Sequence, residues 1–134
     1  FMGTFYNVSF VGTQALMDEL GALAAGVAVT QVVPFPYAPV TPLSGDYLAA
    51  IRSESARGQS PSYTSMEGYV AARVFAEALR RAGKAPSRDG LLAAVQGMTA
   101  LNLGGFNLSY GANNNVGSRF VELTLLTKDG QVRR

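Results

Sequence analysis

Acidic side chains are the groups in this sequence that could take part in acid–base chemistry, and their spacing does not favour it. Asp18 and Glu19 are adjacent, so on a helix they point about 100° apart and cannot act on one substrate. Glu122 lies in a predicted strand, where it could face a cleft, although an outward position is favoured. The sequence has 0 His and 0 Cys, so a Ser-His-Asp or Cys-His unit cannot be built. The sequence therefore predicts no catalytic residues.

The same composition disfavours metal sites, disulfides and nucleic-acid binding. Zinc and copper prefer imidazole and thiolate ligands, which the chain lacks. The formal net charge is only +2, and six of the 11 basic residues lie at one predicted helix end with its loop and at the last two positions. No aromatic residues alternate with them, as binding of single strands would need. We expect no metal, no cofactor and no nucleic-acid partner.

Two strands around a helix are predicted in the first quarter of the chain. Residues 5–10 are rich in β-forming types, and residues 27–33 form a second apolar run that suits a buried parallel strand. Between them, Thr13 is a candidate N-cap, and four apolar side chains follow at helical spacing: Leu16, Met17, Leu20 and Leu23. This order predicts a βαβ unit with parallel strands.

A cluster of prolines follows the second strand: Pro34, Pro36, Pro39 and Pro42. Proline fixes φ and lacks a backbone donor, so residues 34–40 should be extended and irregular. The segment could be an interdomain crossing or a rigid surface loop. Thr41 and Pro42 then have the positions of an N-cap and a first helical residue.

Two helices followed by two strands are predicted in the second half of the chain. Residues 65–82 have the strongest helical pattern, with Thr64 and Glu67 at capping-box spacing and Gly83 as the stop. Its predicted apolar side is Met66, Val70, Val74, Ala78 and Leu79, and its predicted ion pairs are Arg73–Glu77 and Glu77–Arg81. A helix capped by Ser87, a strand at 106–110, a polar turn at 111–117 and a strand at 119–127 complete the chain.

Five motifs occur in an order that carries a family resemblance. They are FYNVSFVG (5–12), GVAVTQVVP (26–34), PSYTSMEGY (61–69), LGGF (103–106) and NVGS (115–118). The series resembles the C-terminal part of type I periplasmic solute-binding proteins of ABC transporters. The resemblance is to the branch that includes the leucine/isoleucine/valine-binding proteins, and it covers essentially the whole chain.

The resemblance implies an incomplete α/β fold, because members have two three-layer αβα lobes joined by three crossings. The N-terminal two-thirds would be missing. Residues 1–33 would be the end of the second lobe, and residues 34–42 an interlobe crossing. Residues 43–110 would be the end of the first lobe, and residues 111–134 the return crossing with the last strands of the second lobe. The proline cluster would then be a hinge segment.

The resemblance also implies a ligand site between the lobes. The loop Ser9, Phe10 and Val11 matches a ligand-facing loop, in which amino-acid-binding members commonly carry an acidic residue. Ser9 replaces that acid, so a neutral, aliphatic or aromatic acid competes with a branched-chain or aromatic amino acid as the expected ligand. Phe35 and Tyr63 are further candidates for the cleft wall, with a structural role as the alternative.

The implied function is that of a periplasmic or extracellular solute-binding component of an ABC importer, which would bind a small organic ligand and a membrane permease. A ligand-sensing domain of a receptor or regulator with the same fold is the alternative, and an independent small α/β enzyme is a third reading. No signal peptide is visible in the sequence. We further expect the chain alone to self-associate, as a homodimer, and to bind ligand weakly or not at all, because half of the cleft would be absent.

Overall fold

A computed structural model describes residues 3–134, except for the side chain of Ser55. The first two positions of the predicted 1–33 segment therefore lie outside the described residues. The fold is mixed α/β. In chain order its elements are β1 (Tyr6–Val8), α1 (Thr13–Leu20), β2 (Ala28–Gln31), α2 (Pro42–Ile51), α3 (Tyr63–Ala82), α4 (Arg88–Gln96), β3 (Leu101–Asn102), β4 (Asn107–Leu108), β5 (Glu122–Leu126) and β6 (Val132–Arg133).

The larger sheet has the strand order β1-β2-β5-β6. Strands β1 and β2 are parallel, with Asn7 opposite Val29, which confirms the predicted βαβ arrangement. Strand β5 runs antiparallel to β2 and places Glu122 opposite Gln31. The strands are shorter than the sequence runs suggested. In particular, residues 9–11 leave β1 as a 3-10 turn.

The start of α1 differs from the prediction. Gly12, with a φ of 71°, occupies the N-cap position, and Thr13 is the first helical residue. A glycine tolerates this backbone conformation because it has no Cβ. The Thr13 hydroxyl is used elsewhere, since it accepts a hydrogen bond from the Gln31 amide at 2.9 Å.

Side-chain caps fix the starts of the later helices. Thr41 caps α2 as predicted, by accepting a hydrogen bond from the Ser44 backbone N–H at 3.1 Å. The predicted Thr64 cap of α3 is wrong, because Ser62 accepts from the Ser65 N–H at 3.1 Å and the helix begins at Tyr63. The predicted stop at Gly83 and the cap at Ser87 are confirmed.

Helix α3 buries only part of its predicted apolar side. Met66, Val70 and Ala78 are buried, whereas Leu79 is exposed. Glu77 pairs with Arg80 at 2.8 Å and with Arg81 at 2.7 Å. The predicted Arg73–Glu77 pair does not form, because the Arg73 guanidinium turns to the Tyr69 hydroxyl and to Asp46 of α2.

Two short strands, β3 and β4, form a separate antiparallel pair. The strand predicted over residues 106–110 is limited to Asn107–Leu108, because the next two residues bond elsewhere. Ser109 donates its N–H to the Gly117 carbonyl at 2.7 Å, and Tyr110 donates to the Met98 carbonyl at 2.8 Å.

The interior consists of two hydrophobic clusters. The larger holds α2, α3 and the β3–β4 pair around Leu43, Tyr47 and Met66. The smaller lies between α1 and the larger sheet, around Met17, Val29 and Leu126. Val132 packs against both clusters. The residues of the proline-rich segment, 34–40, connect β2 to α2 in irregular extended backbone, as predicted.

Within the described residues, every helix is too short or too polar to cross a membrane. The same residues contain no group of three or more acidic side chains suited to a metal ion.

Candidate functional site

The turn after β1 presents the most exposed apolar side chain of the candidate site. Ser9, Phe10 and Val11 form a 3-10 turn, closed by a hydrogen bond from the Gly12 N–H to the Ser9 carbonyl at 3.1 Å. The Phe10 ring is 96% exposed, and Val11 is also exposed. The turn therefore offers an aromatic ring and a hydroxyl at the carboxyl end of a strand, where open α/β sheets bind ligands.

A chain of hydrogen bonds ties this end of the sheet together. The Gln31 side-chain amide, which is 0% exposed, donates to the hydroxyls of Thr13 and Thr124 at 2.9 Å and 3.2 Å. Thr124 in turn donates to the Val29 carbonyl at 3.0 Å. The start of α1 is thereby fixed to β2 and β5, directly after the Ser9–Val11 turn.

Three aromatic rings pack together at the same end of the sheet. The ring centroids of Phe35 and Tyr37 are 5.3 Å apart, and those of Tyr37 and Tyr63 are 5.8 Å apart, with edge-to-face geometry. Phe35 and Tyr63 are 6.5 Å apart. This aromatic cluster (Phe35, Tyr37, Tyr63) joins the proline-rich segment to the first turn of α3, and both residues predicted for a cleft wall belong to it.

Polar side chains of β5 and of the residue after β6 lie near the Tyr63 phenol. Tyr63 is 4% exposed, and burial raises the pKa of its phenol above 10.0, with further increases from the Glu122 and Tyr37 charges. Glu122 accepts a hydrogen bond from Arg134 Nε at 2.7 Å, and only 17% of its side chain is exposed. The outward position favoured for Glu122 is therefore corrected, because its side chain is mostly buried and its charge acts on the Tyr63 phenol.

A cleft of about 300 Å³ borders the aromatic cluster. It is lined by Gln14 and Met17 of α1, by Phe35 and Tyr37, and by residues 130–132 of the β5–β6 hairpin. This cleft does not include the Ser9–Val11 turn or Tyr63. The five predicted site residues thus lie in two groups at one end of the sheet, linked through Thr13, Gln31 and Thr124.

Sequence reasoning missed Gln31, Tyr37 and Thr124 as members of this region. Gln31 carried a usable signal, because one amide inside an otherwise apolar run of a buried strand must find partners within the protein. Tyr37 and Thr124 carried no comparable signal, since their neighbours are distant in the sequence.

A comparison with the sequence models of known protein families identifies the family of this chain. The sequence model of the periplasmic binding protein family matches residues 3–131. The chain belongs to this family. No curated protein sequence matches this member of the periplasmic binding proteins.

Solved structures share the fold over nearly all of this periplasmic binding protein chain. A possible leucine/isoleucine/valine-binding protein of Rhodopirellula baltica has 33% identity and a TM-score of 0.90, over 100% of this chain and 36% of its own. An extracellular ligand-binding receptor of Verminephrobacter eiseniae has 28% identity and a TM-score of 0.85, over 98% and 37%. A substrate-binding periplasmic protein of Ralstonia solanacearum has 29% identity and a TM-score of 0.86, over 95% and 36%.

The chain therefore spans little more than a third of the length of these proteins. The predicted resemblance is confirmed, and so is the expectation of an α/β fold that corresponds to part of a type I periplasmic binding protein.

Proposed function

We propose that this chain is part of a solute-binding component of an ABC importer, which acts in the periplasm or outside the cell. The family match over residues 3–131 is the observation that carries the proposal. The ligand is a small organic molecule, either a branched-chain or aromatic amino acid or a related acid. The protein binds and releases this solute without a chemical reaction, and it delivers the solute to a membrane permease.

The two hydrophobic clusters support a division of the chain between two lobes. Residues 1–33 and 111–134 are assigned to the second lobe and its return crossing, and residues 43–110 to the first lobe. The segment 34–42 is assigned as the interlobe crossing, because it leads from β2 beside one cluster to α2 in the other. Its irregular backbone suits a hinge, since a few such residues absorb the change when lobes close.

The exposed turn after β1 is the proposed ligand contact on the second lobe. Phe10 supplies an apolar surface that a bound solute would cover, and the Ser9 hydroxyl can donate or accept one hydrogen bond. A hydroxyl cannot neutralise a ligand ammonium as a carboxylate does. This favours an uncharged or acidic aliphatic or aromatic solute over an α-amino acid. Phe35 and Tyr63 are proposed to form the wall behind it.

Calorimetric titration of the protein made from its full coding sequence tests the proposal. Branched-chain amino acids, aromatic amino acids and the corresponding acids form the panel. We expect one class to bind, and Phe10→Ala to weaken that binding at least tenfold. Phe75→Ala is the matched control, because Phe75 is an exposed phenylalanine on α3 and its loss should leave the affinity unchanged.

Failure of every solute in the panel to bind, or an equal loss for both phenylalanine variants, would contradict the proposed ligand site. Uptake of the bound solute by cells with and without the gene separates an importer component from a sensor. Uptake that does not depend on the gene would favour a sensing domain of the same fold. Mass analysis of the solute after incubation should show no conversion.

A further inference from the structure

Four interior side-chain atoms have no hydrogen-bond partner among the described residues. They are Gln31 Oε1, the Tyr37 hydroxyl, the Tyr63 hydroxyl and Glu122 Oε2. We call these four residues the polar junction. They come from β2, the proline-rich segment, the start of α3 and the start of β5. Buried polar atoms are nearly always hydrogen-bonded, so four together require a partner.

These four residues occupy one region of the molecule. Gln31 and Glu122 are opposite each other in the register of β2 and β5. The Tyr37 and Tyr63 rings are in edge-to-face contact at 5.8 Å. The charges of Glu122 and Tyr37 raise the pKa of the Tyr63 phenol and the Thr124 hydroxyl lowers it, so all three groups lie near this phenol. A single bound molecule could therefore form hydrogen bonds with several of these four side chains.

Several nearby protein donors are bonded to other atoms. Arg134 Nε donates to the other Glu122 oxygen, Oε1, at 2.7 Å. The Gln31 amide N–H groups go to Thr13 and Thr124. The Thr124 hydroxyl donates to the Val29 carbonyl at 3.0 Å. The phenols and a molecule that is not protein remain as donors to the two orphaned acceptors, Gln31 Oε1 and Glu122 Oε2.

The chemistry of the group selects a neutral partner. Arg134 balances the Glu122 charge, so a bound cation would leave the region with uncompensated positive charge. The phenols stay protonated at neutral pH, since burial raises the pKa of both Tyr37 and Tyr63. The group thus offers two acceptors and two hydroxyls. Water can donate twice and accept twice, which suits this set.

We propose that the polar junction binds internal water, which links the Tyr63 hydroxyl to Glu122 Oε2 and also serves Gln31 and Tyr37. The bound water joins the first turn of α3 and the proline-rich segment to β2 and β5. This inference does not rest on the proposed function, because it concerns only the contacts of the four side chains.

A high-resolution crystal structure of the chain, or of the protein made from the full coding sequence, tests the site. We expect density for water within about 2.5–3.2 Å of both the Tyr63 hydroxyl and Glu122 Oε2. Crystals of Tyr63→Phe should lose that density or show it displaced. Tyr6→Phe is the matched control, because Tyr6 is exposed on the sheet and its hydroxyl is outside the junction.

A solution measurement covers the case in which Tyr63→Phe does not fold. Nuclear Overhauser transfer from water to the phenolic protons should report a long-lived bound water in the unmodified protein. Tyr37→Phe should weaken that transfer to Tyr63, whereas Tyr6→Phe should not. Direct bonding of the Tyr63 hydroxyl to Glu122 with no water between them, or density at metal-ion distances, would overturn the proposal.

Discussion

At the residue scale, Leu43 and Leu92 separate a core leucine from a surface leucine. Both follow the helical pattern in the sequence, but Leu43 of α2 is 0% exposed and Leu92 of α4 is 56% exposed. The difference in exposure comes from the neighbouring elements, because α2 is enclosed by other parts of the larger cluster.

We expect Leu43→Ala to lower the free energy of unfolding by about 2–5 kcal/mol, because it removes buried methyl groups and leaves a cavity. Leu92→Ala is the matched control and should change it by less than about 0.5 kcal/mol. Urea unfolding followed by circular dichroism measures both. Equal losses for the two variants would mean that the described core is wrong.

The buried phenols give the protein a pH dependence at the alkaline end. The unfolded chain releases the Tyr63 proton near pH 10.0, whereas the folded chain holds it at higher pH because burial raises its pKa. The unfolded state then binds fewer protons, so the free energy of unfolding falls as the pH rises above 10.

We expect this fall to be smaller in Tyr63→Phe, by up to about 1.4 kcal/mol per pH unit. Tyr37→Phe should act in the same direction, since burial also raises the pKa of Tyr37. Urea unfolding at a series of pH values from neutral to strongly alkaline measures the slopes. Parallel curves for the variants and the unmodified protein would show that the phenols are not buried as described.

At the element scale, the start of α3 tests which of two nearby hydroxyls caps the helix. The sequence predicted Thr64, and the structure assigns Ser62, whose hydroxyl accepts the Ser65 N–H. Ser62→Ala should therefore lower the free energy of unfolding by about 1 kcal/mol. Thr64→Ala should leave it nearly unchanged, because Thr64 is an exposed residue inside the first turn. A larger decrease in the free energy of unfolding for Thr64→Ala than for Ser62→Ala would support Thr64 as the N-cap instead.

At the scale of the whole molecule, one face of the larger sheet is apolar and uncovered. Tyr6, Val8, Leu123 and Leu125 are exposed, and the strand register places them side by side across β1, β2 and β5. Contiguous apolar surface of this kind promotes association. The chain alone is therefore expected to self-associate.

Sedimentation of the 134-residue chain should give a mass that rises above 14.1 kDa with concentration. Replacing both Leu123 and Leu125 by glutamine should return the chain toward the monomer. Phe75→Gln is the control, because Phe75 is exposed on α3 and is not part of this sheet, so the variant should not change the mass. A monomer at every concentration would contradict the expectation.

Local features of this protein could be predicted from its sequence. The βαβ order, the Thr41 and Ser87 caps, the Gly83 stop and the irregular proline segment depend on residues close together in the chain, and each was predicted correctly. The order of short motifs also sufficed for the family, since it is a property of the sequence. The Ser9–Val11 turn could be proposed as a ligand contact only through that resemblance.

Contacts between residues far apart in the chain could not be predicted in this way, because they form only in the folded protein. The proximity of Glu122 to Tyr63, the bond from Gln31 to Thr124 and the move of Arg73 to Asp46 each join elements far apart in the chain. Hydrogen bonds and burial depend on which atoms meet after folding, and periodicity does not encode this. The aromatic cluster and the polar junction were therefore beyond the reach of the sequence, although Phe35 and Tyr63 had each been singled out.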